Sequence, residues 1–151
     1  MSKRRVVVTG LGAVTPVGLN VKESWGNILA GKSGIAPLTI FDVSDFSVRF
    51  GGSIKNFDIT SIIPRKDAKK MDTFIHYGIA AGKEAIEDSG IEVTDENAER
   101  IGVAIGAGIG GLPGIEAGYD AYLKGGPRKI SPFFVPSNII NMVAGNLSIM
   151  Y

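Results

Sequence analysis

The order of apolar and polar positions divides the chain into a few periodic stretches separated by glycine and proline. "RRVVVTG" is a short β-branched run that predicts a buried strand at 4–9. Pro16 and Gly18 hold the next loop open, and Asn20 followed by Glu23 has the spacing of a helix cap. Val21, Trp25, Ile28 and Leu29 then fall on one helical face, with Gly31 as its stop. Residues 38–60 keep no period for long; "SVRFGGSIKNF" is a weak hairpin candidate. "PRKDAKKMDTFIHYGIAAGKEAIEDSG" carries the longest helical pattern and closes at Gly90. Its stripe of Met71, Ile75, Ile79, Gly82 and Ile86 is widened by Phe74, Gly78, Ala81 and Ala85. Small residues there would let a neighbouring element approach closely. "ERIGVAIGAGIGG" predicts a second strand at 101–106 and a glycine turn, followed by a short helix after Pro113. "PSNIINMVAGNLSIMY" predicts a final helix, apolar on nearly every face. It stops at Tyr151 with no cap or polar tail and reads as cut.

Composition narrows the class. The 151 residues amount to about one domain, with 44% apolar and 21% charged residues. A net charge of +1 excludes a chain-wide electrostatic nucleic-acid binder. No apolar run approaches a membrane span, and "VVVTG" after "MSKRR" is too short for a secretory segment, so a cytoplasmic location is expected. Glycine is abundant at 21 residues and gathers at the ends of apolar runs, which suggests the tight turns of an α/β protein. Cysteine is absent, which removes disulfides and every thiol nucleophile.

Three glycine motifs suggest a nucleotide, and each stands in the wrong surroundings. "GNILAGKS" fits a phosphate loop, which needs a strand before its first glycine and a helix after its Lys-Ser. Here Gly26 lies inside the predicted helix and Lys32-Ser33 runs into "GIAPL". Gly106, Gly108 and Gly111 spell a dinucleotide fingerprint, but Arg128 and Lys129 stand where an acidic residue should follow. "TGLGAVTPVG" has a proline and a long loop before its helix. These glycines read as close-packing turns, and no metal or cofactor is expected.

Several longer stretches are jointly similar to one family. "RRVVVTGLGAVTPVG", "LAGKSGI", "KKMDTFIHYGIAAGKEAIEDSG", "AIGAGIGG" and "GGPRKISPFFVPSNIINMVAG" resemble the beta-ketoacyl-acyl carrier protein synthases, nearest to their elongating synthase II branch. The resemblance covers residues 1–151, and "GGPRKISPFFVPS" is its most specific part because no folding rule requires that string. It implies a thiolase-like α/β fold of layered α/β/α/β/α type, of which this chain is an incomplete N-terminal portion, and a homodimer. It also implies an acyltransferase of fatty acid synthesis, in which a cysteine takes an acyl chain from acyl carrier protein. Condensation with malonyl carrier protein then releases carbon dioxide, assisted by two histidines and a lysine. None of these catalytic groups falls within the chain, and the family's cysteine is expected shortly beyond Tyr151. The single histidine, His76, lies in the long helix at no catalytic position and reads as structural or solvated. No residue here is therefore assigned a catalytic role.

The resemblance does assign binding roles. Ile109, on the glycine turn, matches a residue that gates the acyl pocket, and Phe134 matches one reaching that pocket from the partner subunit. An apolar side chain on a glycine hinge can move aside for an alkyl chain. Lys66, Lys69, Lys70, Arg128 and Lys129 match carrier contacts, and a basic rim suits the acidic acyl carrier protein. Without the resemblance these residues read as ordinary core positions and a solvated charged face. Neither aromatic interleaving nor a long basic run supports RNA or a membrane surface. Two other readings stand beside the synthase: a nucleotide-binding α/β domain using its glycine motifs, and a non-catalytic module that binds acyl carrier protein.

Overall fold

The structure, a computed structural model, describes residues 3–151. In chain order its elements are α1 (Val21–Leu29), β1 (Ile35–Pro37), β2 (Phe50–Gly52), α2 (Arg65–Ala68), α3 (Thr73–Ser89), α4 (Leu112–Gly125), α5 (Phe134–Asn138) and α6 (Met142–Met150). They form two compact units, one from 1–57 with 81–91 and one from 58–80 with 92–151.

In the first unit, α1 forms where its caps place it. The Asn20 side chain accepts from Glu23 N at 2.8 Å, and the Glu23 carboxylate accepts from Leu19 N at 2.8 Å. At the other end Gly31 takes φ 67°, and the amides of Gly31 and Lys32 donate to the carbonyls of Ile28 and Asn27, both at 2.9 Å. This paired closure needs a left-handed residue, which glycine adopts without a Cβ penalty. The chain at 10–13 crosses the C-terminal half of α3 so closely that a Cβ on Gly10 or Gly12 would strike the carbonyls of Ala85 or Ala81. Glu84 then binds two amides, Ala13 N at 2.9 Å and Val21 N at 2.8 Å, and Asp88 accepts from Leu11 N at 2.8 Å. An apolar groove of about 540 Å³ remains beside them, lined by Leu11, Val21, Trp25 and Ile28.

Two expectations fail in this unit. "SVRFGGSIKNF" makes no hairpin; its glycines lie inside β2, which pairs antiparallel with β1, Ile35 opposite Gly52. Gly52 packs against Pro16 there, so glycine serves close approach rather than a turn. The strand expected at 4–9 is not formed either. Val6, Val7 and Val8 are 90%, 72% and 80% exposed, because β-branched residues favour extended backbone but a strand requires a ladder partner.

The second unit holds the apolar core. Ile75 and Ile79 of α3 are fully buried, with Val143 and Leu147 of α6 nearly so. Val143 fills the space where a Gly78 side chain would lie, the close approach expected of that stripe. Ile59, Ile63 and Ala68 complete the core. The long helical pattern divides into α2 and α3, because Asp72 caps α3 by accepting from Phe74 N at 3.4 Å. The final helix divides too, with α5 ending at Asn138 and Ile139 extended at ψ 138°. Against expectation, α4 is a full 14 residues with Pro113 in its first turn, and 101–106 is not a strand. That run lacks a ladder partner for the same reason as 4–9.

Candidate functional site

The glycine turn before α4 is free at one end and clamped at the other. A Cβ on Gly106 or Gly108 would meet open space. On Gly110 it would strike the Asn138 carbonyl, and on Gly111 or Gly114 the Asn138 side-chain oxygen. Gly111 N donates to Asn138 O at 3.3 Å, and Gly114 N donates to Asp72 Oδ2 at 3.2 Å. Asp72 N in turn donates to Ser137 O at 3.2 Å. Asn138 Oδ1 is buried with no hydrogen-bond partner, pressed between the α carbons of Gly111 and Gly114. Burial raises the Tyr77 hydroxyl above its ordinary range, and the Asp72 charge adds to the effect.

Ile109 stands at the boundary between the free and clamped ends and is 66% exposed. Phe134, on the first turn of α5, lays its ring against Gly118 of α4, where a Cβ would come 2.7 Å from Phe134 Cδ2.

The basic residues occupy α2 and a 3-10 turn, Pro127–Lys129, which follows Gly126 at φ 74°. Lys66, Lys69, Arg128 and Lys129 are exposed, the last with its stem over Gly125. Lys70 is different: it pairs with Asp67 at 2.7 Å and stands 5.7 Å from the Phe133 ring centre. That hydrogen bond, with the lysine charge behind it, holds the Asp67 carboxyl below the usual carboxylate range. Pro64, Asp67 and Lys70 share an apolar cleft of about 470 Å³ with Phe133 and Pro136. The cleft brings the region of α2 beside the segment that follows Arg128 and Lys129.

His76 touches the Ala68 carbonyl through Nε2 at 2.9 Å. A carbonyl only accepts, so Nε2 carries the proton and the ring caps the end of α2. Among the described residues no group of three His, Cys, Asp or Glu side chains could hold a metal, and no helix is long and apolar enough to cross a membrane. The glycine motifs have other employment. In "GNILAGKS" the Gly31 and Lys32 amides close the C-terminus of α1, the wrong helix end for a phosphate. After "GAGIGG", the Asp72 carboxylate accepts from the Gly114 amide at the start of α4. Asp72 is the residue sequence reasoning passed over, although Asp72-Thr73 inside a helical pattern is a cap signal.

The described residues form a helix-rich chain with one short two-stranded sheet, an exposed Ile109 before α4, and exposed basic side chains on α2 and the 127–129 turn. The profile of the beta-ketoacyl synthase N-terminal domain matches residues 3–151, and the chain belongs to that family. It is 63% identical over 150 residues to 3-oxoacyl-[acyl-carrier-protein] synthase 2 of Vibrio harveyi, covering 99% of this chain and 36% of that protein. Against the same enzyme of Coxiella burnetii, identity is 50% over 151 residues, covering 100% and 36%. The chain therefore spans little more than a third of the length of these relatives. Among solved structures, a type II PKS acyl-carrier protein in complex with its ketosynthase bound to the hexaketide aligns at TM-score 0.79 and 26% identity, covering 99% of this chain and 39% of that one. A beta-ketoacyl synthase from Burkholderia phymatum aligns at TM-score 0.77 and 24% identity, over 97% of this chain and 36% of that one. The fold is that of the thiolase-like ketosynthases, present in part.

Proposed function

We propose that residues 1–151 supply part of the acyl-channel wall and the carrier-docking surface of a 3-oxoacyl-[acyl-carrier-protein] synthase. The enzyme elongates fatty acids in the cytoplasm as a homodimer. The single observation that carries this reading is 63% identity extending over 99% of the chain. In the reaction a thiolate attacks the acyl thioester of one carrier protein and expels its thiol. Malonyl carrier protein then loses carbon dioxide, and the resulting enolate carbon attacks the acyl-enzyme, releasing the thiolate. These residues hold no cysteine, so they contribute binding and not the nucleophile. Ile109 lines the pocket and moves aside for the alkyl chain, while Phe134 borders it from the partner subunit. Lys66, Lys69, Arg128 and Lys129 draw in the acidic carrier, and Lys70, already paired with Asp67, contributes least.

Acyl and malonyl carrier proteins supplied to the product of the complete coding sequence should yield ketoacyl product. Residues 1–151 alone should yield none. Reversing Lys66 and Lys129 to Glu should slow carrier association about tenfold at low salt and flatten its salt dependence. Carrier binding without product would favour the non-catalytic module. Unchanged association after both reversals would leave these lysines a solvated face.

A further inference from the structure

We propose that Asp72 is a positioning residue for acyl-chain selectivity, acting through the turn that carries Ile109. The inference rests on the function proposed above and adds a residue to it. Asp72 serves two helix starts at once: Oδ1 accepts from Phe74 N at 3.4 Å in α3, and Oδ2 accepts from Gly114 N at 3.2 Å in α4. A carboxylate is the side chain suited to this, because it has two acceptor oxygens and a charge that complements both helix dipoles. Its own amide is tied to Ser137 O, one residue before the Asn138 that closes over Gly110, Gly111 and Gly114. The start of α4 is thereby held between Asp72 and Asn138, whereas Gly106 and Gly108 meet nothing. Ile109 swings on the free side of a fixed point. Asp72 sets where that point lies, and so how far Ile109 must move to admit a longer chain.

The experiment uses the protein expressed from its complete coding sequence, with hexanoyl- and hexadecanoyl-carrier protein as competing acyl donors. Asp72→Ala removes both caps. Asp72→Ser keeps an acceptor for Phe74 N but is too short to reach Gly114 N, so it breaks only the link to α4. Both variants should change the ratio of kcat/KM for the long donor over the short by about threefold or more. Asp72→Ser should also speed hydrogen exchange at Gly114 with less loss of thermal stability than Asp72→Ala. General destabilisation would lower both donors together and leave the ratio fixed. A wild-type ratio in a folded Asp72→Ser variant whose Gly114 amide exchanges faster overturns the positioning role and leaves the synthase reading standing. Absence of acyl transfer by the unaltered protein overturns the synthase reading and this inference with it. Should Asp72→Ala fail to fold, Asp72→Ser decides alone; should neither fold, Asp72 is a folding determinant and the inference fails.

Discussion

The unit built from 58–80 and 92–151 buries Ile59, Ile63, Ala68, Ile75, Ile79, Val143 and Leu147, whereas the unit from 1–57 and 81–91 buries, among its described residues, only Gly18 and Ser24. The first of these is held by apolar contact. The other is held by backbone amides ending on carboxylates, with Glu84 taking two of them and Asp88 a third. Its α1 has a proper amphipathic stripe, yet Trp25, Ile28 and Leu29 remain exposed. Caps alone are enough to place a helix, but they do not cover its apolar face. A hydrophobic period tells which face seeks cover; it does not tell whether the same unit supplies it.

The largest expected effect follows from that exposed surface. Residues 1–151 expressed alone should associate rather than behave as a monomer with a sharp, cooperative thermal transition. Val6, Val7 and Val8 are exposed and belong to no strand, and exposed side chains of this size forfeit ~1.5–3 kcal/mol each relative to burial. Sedimentation velocity and thermal scans measure this directly. Threonine at all three positions should reduce association, and a cooperative monomer before any substitution would refute the contrast between the units.

A smaller effect separates the two kinds of support. Ile79→Ala should cost ~2–5 kcal/mol by opening a cavity in the apolar core. Glu84→Gln keeps one acceptor oxygen for two amides and should cost ~1–3 kcal/mol. Both residues lie on α3, so hydrogen exchange along that helix reads the two losses separately. Equal loss of protection throughout α3 from either substitution would mean the helix opens as a whole, and the distinction would go.

How much of this was legible beforehand depends on the range of the interaction. α1 and its stop were readable because Asn20, Glu23 and Gly31 act within a turn or two of themselves. Gly78 was readable as a close-approach position because it interrupts an apolar stripe. The runs at 4–9 and 101–106 read as strands from their β-branched residues but form none, since pairing is a long-range property. Splitting the long helix at Asp72 needed only a local cap signal, Asp72-Thr73, which the stronger apolar period masked. The site shows the same division. The basic residues and Ile109 entered only as expectations from the family resemblance, whereas the clamp from Asp72 to Gly114 spans 42 positions and no motif records it.

The smallest expected effect tests whether a surface ion pair in the apolar unit matters as the carboxylates of the other unit do. Lys70 lowers the Asp67 carboxyl, first by its hydrogen bond and then by its charge. A depressed folded value means the contribution is present above the ordinary carboxylate value of about 3.9 and is lost as pH falls through the folded midpoint. Lys70→Met should raise that midpoint back toward the ordinary value, read from the Asp67 carboxyl shift in an NMR titration. Because the pair is partly exposed, thermal stability at neutral pH should hardly change. An unmoved midpoint would assign the depression to Lys66 instead. A large stability loss would show that Lys70, through Phe133 and the cleft it shares with Met142 and Asn146, supports this unit as much as its buried isoleucines do.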